Sequence, residues 1–265
     1  MTLLQSACSP DLYHRPAIVE DAIARRSGLR GGVIALGNFD GFHRGHQFLI
    51  RMARRIAGDG SALGVMSVEP HPRQVFNPDA PAFRLATSGQ KHDMARMLNL
   101  DFLYQPVFDR DFAAQSAEDF IEHVLHRALG VSHVVVGADF RFGAGRAGDV
   151  AMLHRMGAPR GIGVTVMPLQ GGHSSTAIRK AVTAGDMETA RAGLGRPWQA
   201  QILHDGGIQR LDPAQIRPAA GSYLIRNHGD KRAQYIALDH HGRIRSAHPL
   251  PQRIGFLERC GPDIQ

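Results

Sequence analysis

The chain has 265 residues, with 31 Lys+Arg against 24 Asp+Glu for a net charge of +7, 43% hydrophobic and 21% charged residues, and 2 Cys. That mixture excludes disordered and fibrous chains, and the length suits one or two globular domains. No apolar run nears the ~18 residues of a spanning helix, and the first thirty residues carry Asp11, Glu20 and Asp21 and do not read as a signal peptide, so no membrane association and a cytoplasmic location are expected.

In chain order, residues 1–31 read as an N-terminal extension. From Gly32 to Pro197, short β-branched runs alternate with amphipathic stretches, the pattern of βα units around a parallel sheet. Residues 33–36 form the first strand. Residues 45–56 form a helix, because Phe48, Leu49, Met52, Ala53 and Ile56 recur every three or four positions while Arg51, Arg54 and Arg55 turn outward. Strands at 63–68, 102–105, 131–136 and 164–167 alternate with helices at 90–100, 117–129 and 149–156, and helices at 176–184 and 186–192 close the unit. The expected fold class is α/β: a Rossmann-like open parallel sheet of five strands with helices on both faces, over residues 32–198. Residues 199–265 offer strand-like fragments at 199–203, 222–225 and 233–238 between Gly, Pro and Asp turns. They read as a small β-rich C-terminal region with little core of its own.

The isoelectric point near 10.1 favours anionic partners. The charge is spread out, since 199–265 alone hold 9 Lys+Arg against 6 Asp+Glu. Local phosphate pockets are therefore expected rather than a nucleic-acid face. Cys8 and Cys260 have no C-x-x-C partner, which fits neither a zinc site nor a disulfide framework.

Four stretches carry chemistry. Gly37-Asn38-Phe39-Asp40-Gly41-Phe42-His43-Arg44-Gly45-His46 runs from the first strand into a helix, where free N–H groups and the positive dipole end suit an anion. His43 and His46 share a face of the first turn, and Gly45 between them lets a nucleotide approach the backbone. The alternative reading is a pair of surface histidines or half of a zinc site. A second helix start, Ser174-Ser175-Thr176-Ala177-Ile178-Arg179-Lys180, offers hydroxyls and a guanidinium as another anion cradle, or simply a capped helix. Glu69-Pro70-His71-Pro72 and the run from Gly137 through Asp139, Phe140, Phe142 to Asp149 follow the second and fourth strands, at the edge where open α/β sheets bind ligands. Their plainer readings are a rigid turn and core phenylalanines.

Together these motifs resemble the adenylyltransferase module of the bacterial FAD synthetases, the bifunctional riboflavin kinase/FMN adenylyltransferases. GNFDGFHRGH, EPHPRQVF, FDRDFAAQSAEDFIEHVL, VVVGADFRFGAGRAGD, SSTAIRKAV and GRPW occur in the family's order over residues 32–198. The resemblance implies AMP transfer from ATP to FMN, giving FAD and pyrophosphate with Mg²⁺. It implies that His43, His46 and Arg179 act at the transferring phosphate. Gly37, Asn38, Phe39, Gly45, Ser174, Ser175 and Thr176 would complete the ATP site. Glu69, Pro70, His71, Pro72, Asp139, Phe140 and Phe142 would enclose the flavin. Family members continue into a riboflavin kinase barrel with a P-T-A-N motif, which this sequence lacks. Kinase activity is therefore expected to be absent and the tail to be a degenerate barrel remnant. Phe42, bulkier than the family's usual residue, is expected to reshape the mouth of the site, and the loop at 170–173 looks short. Alternatives are transfer to another phosphorylated acceptor and a non-catalytic flavin- or nucleotide-binding regulator.

Overall fold

The computed structural model describes residues 17–19, 29–168, 174–229 and 232–261. The expected alternation builds the first part of the chain. Its elements are β2 (Val33–Leu36), α1 (Arg44–Ala57), β3 (Leu63–Met66), α2 (Pro72–Phe76), α3 (Ser88–Met97), β4 (Phe102–Tyr104), α4 (Arg110–Ala114) and α5 (Ala117–Asp119). These are followed by β5 (His133–Gly137), α6 (Val150–Gly157), β6 (Gly163–Met167), α7 (Ser175–Ala184) and α8 (Met187–Leu194). The helix expected at 117–129 begins as α5 and continues as a π-helical stretch over Phe120–Ala128.

The sheet has six strands rather than five. β1 (Ala17–Val19), inside the stretch read as an extension, pairs in parallel with β4, giving the order β1-β4-β3-β2-β5-β6. A three-residue edge strand is too short for its side-chain period to show in sequence. From β2 the chain adds β3 and β4 on one side, then returns to place β5 on the other. This reversal opens a crevice beyond the carboxyl ends of β2 and β5, the place where such sheets take ligands.

Alternate residues of β2 face opposite layers, as the twofold strand period requires. Ile34 and Leu36 join Phe120, Leu125 and Leu153 on one side, and Val33 and Ala35 join Ile50, Ala53 and Met94 on the other. All four residues of β2 are buried, as a central parallel strand covered on both faces must be. In β3, Gly64 is required by packing: a Cβ there would come within 2.4 Å of the Phe102 ring.

Past Pro197 the chain forms a closed barrel. Its strands are β7 (Trp198–Asp205), β8 (Ile208–Leu211), β9 (Gly221–Asn227), β10 (Ala233–Leu238), β11 (Arg243–Ser246) and β12 (Arg253–Cys260), in the order β10-β11-β8-β7-β12-β9. The sequence fragments caught half of these strands. Closure depends on β12, which joins β7 and β9 across distant stretches of chain. The core is not small, because it is shared: Trp198, Tyr223, Ile225, Ile254 and Phe256 cluster with Ile178, Val182, Met187, Ala190 and Leu194 of α7 and α8. The barrel is therefore an integral wall of the first unit, completing its core with residues of α7 and α8.

Candidate functional site

The crevice is built from the loop after β2. Phe39, Gly41 and Phe42 take positive φ values of 45°, 76° and 45°, folding Gly37 to His43 back under α1. His43 caps α1: its Nδ1 accepts from the His46 N–H at 3.4 Å, which leaves the proton of the neutral ring on Nε2. The two imidazoles stack with centroids 3.6 Å apart, and the Phe39 ring supports His46 from 4.7 Å. Burial, then the proximity of His43, Lys91 and Arg179, holds His46 well below the ordinary histidine range, so it is neutral at physiological pH. Its Nδ1 is buried and has no hydrogen-bond partner among the described residues.

Asp40, absent from the sequence-based site, is the node of this loop. Its carboxylate is 2% exposed and accepts from the Leu85 N–H at 3.0 Å, the Ala86 N–H at 3.2 Å and the Arg179 guanidinium at 2.7 Å. Arg179 also donates to Phe83 O at 2.9 Å. Ser175 Oγ donates to Asp40 O at 3.4 Å, which joins the N-terminus of α7 to that of α1. Ser174 caps α7 by accepting from the Ala177 N–H, and Thr176 is exposed beside it. Ser175 and Arg179 thus meet at one buried acid, and Arg179 in turn lies near His46. His173 and the loop at 170–173 lie outside the described residues.

A second polar network supports the loop after β3. Lys91, 1% exposed, donates to Ser67 Oγ at 2.9 Å and to Glu69 Oε2 at 3.3 Å, and Arg84 pairs with the other Glu69 oxygen. Ser67 Oγ in turn donates to Asn38 O at 2.7 Å. Burial lowers the Lys91 ammonium to about 8, against the upward pull of Asp40. His71 accepts from the Arg73 N–H through Nδ1, and its Nε2 lies 3.3 Å from the Asn38 amide. Burial again dominates, moving His71 to about 4.

Beyond these groups lies a cavity of about 600 Å³. Gly37, Asn38, His71, Pro72, Asp139, Phe140 and Phe142 line it, so the loops after β2, β3 and β5 converge as expected. Glu69 and Pro70 do not line it; Glu69 is held away by Lys91 and Arg84. Four further rings do line it, those of Phe76, Phe108, Phe112 and Phe120. Phe140 and Phe142 stack at 5.7 Å, and Phe76 meets Phe108 edge-on at 5.9 Å. The F-D-R-D-F spacing of Phe108 and Phe112 was the available signal for two of them. The expectation for Phe42 is corrected: its side chain is 0% exposed in the core with Ile50 and Ala53, so it shapes the loop and not the mouth. Phe39 is as deeply buried and touches the site through His46.

The site therefore sets a guanidinium, the neutral His46 and its stacked partner His43 near two helix N-termini beside an aromatic chamber, an arrangement for a polyphosphate next to a planar ring system.

A sequence model of the family described as FAD synthetase matches residues 26–180, more than half of the chain. The bifunctional riboflavin kinase/FMN adenylyltransferase of Pseudomonas fluorescens is 37% identical over 212 residues, covering 74% of this chain and 68% of that protein. Its namesake from Escherichia coli K12 is 35% identical over 211 residues, covering 74% of this chain and 67% of the relative. The FAD synthetase of Listeria monocytogenes is 32% identical over 209 residues, 76% of this chain and 83% of the relative. Among solved structures, a macrolide-efflux protein from Streptococcus pneumoniae superposes with a TM-score of 0.79 at 21% identity, covering 94% of this chain and 92% of that one, a likeness of fold alone. The extent of the family match, and relatives above 30% identity over most of their own length, agree with the motifs that build the crevice: this chain belongs to the FAD synthetase family, a family of nucleotidyltransferases.

Proposed function

We propose that this chain is an FMN adenylyltransferase, transferring AMP from ATP to FMN and releasing pyrophosphate. The observation that carries the proposal is the stacked His43–His46 pair, with His46 neutral, its Nδ1 unpartnered and Arg179 nearby, on the same loop after β2 whose Gly37 and Asn38 line the aromatic cavity. A phosphate oxygen of FMN attacks the α-phosphorus of ATP. The bond from that phosphorus to the bridging oxygen breaks, and its electron pair leaves with pyrophosphate. The FMN phosphate is already anionic, so no protein base is required, and the protein contributes position and charge.

His43 and His46 would donate to oxygens of the transferring group as negative charge develops there. Ser174, Ser175 and Thr176 would present hydroxyl and N–H donors to the triphosphate, with Arg179 held in line by Asp40. Gly37, Asn38 and Gly45 would leave room for the nucleotide, while Phe39 braces His46. The flavin would lie among Phe140, Phe142 and the further phenylalanines, with His71, Pro72 and Asp139 at its edge. Glu69 and Pro70 would fix the loop that carries them.

Magnesium finds no group of three or more His, Cys, Asp or Glu side chains among the described residues. Asp40 is committed to Arg179, so the ion would arrive on the ATP phosphates as part of the substrate. No riboflavin kinase activity is proposed, since P-T-A-N is missing and the barrel interior is filled by Trp198, Tyr223 and Phe256. No helix among the described residues is long and apolar enough to cross a membrane, in keeping with a proposed cytoplasmic setting.

The test is incubation with ATP, Mg²⁺ and either FMN or riboflavin, followed by chromatographic separation of the flavins. FAD is expected from FMN, and no FMN from riboflavin. His46→Ala should lower kcat by ~10²-fold or more, the scale of losing one preorganised donor. Absence of FAD from the wild-type chain would refute the proposal.

A further inference from the structure

A second cavity, of about 420 Å³, lies between α7 and the barrel. We propose that it is a binding site for a phosphate-bearing ligand up to the size of a mononucleotide, separate from the cradle at the helix N-termini.

Five cationic side chains line it: Arg73 from α2, Arg179 and Lys180 from α7, and Arg210 and Arg217 from the barrel. Asp212 is the lone carboxylate in the lining, and its Oδ1 is already engaged by the Ala214 N–H at 2.8 Å. This concentration of like charge is built in rather than incidental. The Phe83 ring carries two guanidinium groups, Arg73 at 4.8 Å and Arg179 at 5.2 Å from its centroid. Arg179 is fixed there by Asp40 and Phe83 O, and Arg217 is fixed by the carbonyl of His240. Arg179 is paired with Asp40 and Arg210 with Asp205 at 3.7 Å, and the mutual repulsion of Arg73, Lys180 and Arg217 beside them is relieved by a multivalent anion seated among them. Guanidinium groups held in place are the donors best suited to phosphate.

Pro81, Leu211, Pro213 and Ile216 form an apolar side, with Thr183, Gln215 and His241 as further polar groups. A chamber of this volume with one cationic and one apolar side matches an organic phosphate as well as a free diphosphate. It is not the catalytic cradle seen from behind. His43, His46, Ser174, Ser175 and Thr176 are absent from its lining; Arg179 is shared with that cradle, while Lys180 and Thr183 lie further along α7. Half of its wall comes from the barrel, which contributes nothing to the aromatic chamber.

The experiment is calorimetric titration of the full chain with inorganic pyrophosphate and, separately, with ADP, for the wild type and for Arg210→Gln/Arg217→Gln. The wild type should show a binding component that the double variant loses or weakens at least tenfold, with FAD formation from FMN unchanged. Pyrophosphate binding this component at least as tightly as ADP assigns it to a free diphosphate; tighter binding of ADP assigns it to a nucleotide. Superimposable isotherms for wild type and variant with both probes would overturn the proposal. Lys180→Gln, an exposed position, guards against a double variant that fails to fold. It should weaken the same component several-fold, and unchanged affinity counts against the site. Because binding is read directly, the result does not depend on whether the chain makes FAD.

Discussion

Replacing Asp40 by Asn tests whether one buried carboxylate organises the site. Asp40 Oδ1 accepts from the N–H groups of Leu85 and Ala86 at 3.0 and 3.2 Å, while Oδ2 faces Leu85 N at 3.1 Å and Arg179 at 2.7 Å. Asparagine keeps an oxygen at the first position and places an NH₂ group against donors at the second. The charge-assisted bond to Arg179 is lost, worth roughly 1.5–3 kcal/mol. The guanidinium, whose side chain is 19% exposed, keeps only its bond to Phe83 O. Breaking a pair of this kind costs about 3–5 kcal/mol, and we expect the lower half of that range because Arg179 retains one partner and some solvent. Loss of the charge also removes the upward pull on Lys91, which lies at about 8 in the intact site. Equilibrium urea unfolding at pH 7 measures the stability, and the KM for ATP reports whether Arg179 has moved. A stability loss below about 1 kcal/mol with unchanged KM would refute the reasoning that Asp40 holds Arg179.

Gly64→Ala should destabilise the chain by about 1–3 kcal/mol, because the Cβ at 2.4 Å from the Phe102 ring forces β3 and β4 apart; an unchanged urea midpoint would contradict the packing. His71, lowered to about 4, and His46, lowered further than its ordinary value, resist protonation when folded. As pH falls below the unfolded value of roughly 6.5, the unfolded chain takes up protons that the folded chain does not, so stability should decline toward pH 4. A urea midpoint at pH 5 equal to that at pH 7 would argue against buried neutral rings. Deleting residues 199–265 uncovers Ile178, Val182, Met187 and Leu194, so an aggregating or molten product is expected, and a soluble, cooperative truncation would show that the barrel is dispensable.

The alternation of strands and helices from β2 to α8 is legible in sequence because local periodicity encodes it: apolar residues every second position or every third to fourth mark faces that must be buried. The chemistry is legible for the same reason, since HRGH and SSTAIR sit at the starts of the helices that follow β2 and β6. Asp40 was within the first motif but carried no signal of its own, because its partners Leu85, Ala86 and Arg179 are remote in sequence. Lys91 reads as one more polar residue on a helix, and only packing reveals it as a buried cation beside Ser67 and Glu69.

The sequence by itself determined the α/β class, the order of elements and the motifs that mark phosphate and ring chemistry. The tertiary structure decided what depends on distant pairing: the sixth strand, the closure of the barrel through β12, and the core that α7 and α8 share with it. It also decided that Phe42 faces inward and that barrel arginines meet Arg179 and Lys180 of α7 across one cavity. Local pattern specifies which face of an element is buried, but not which remote surface will cover it.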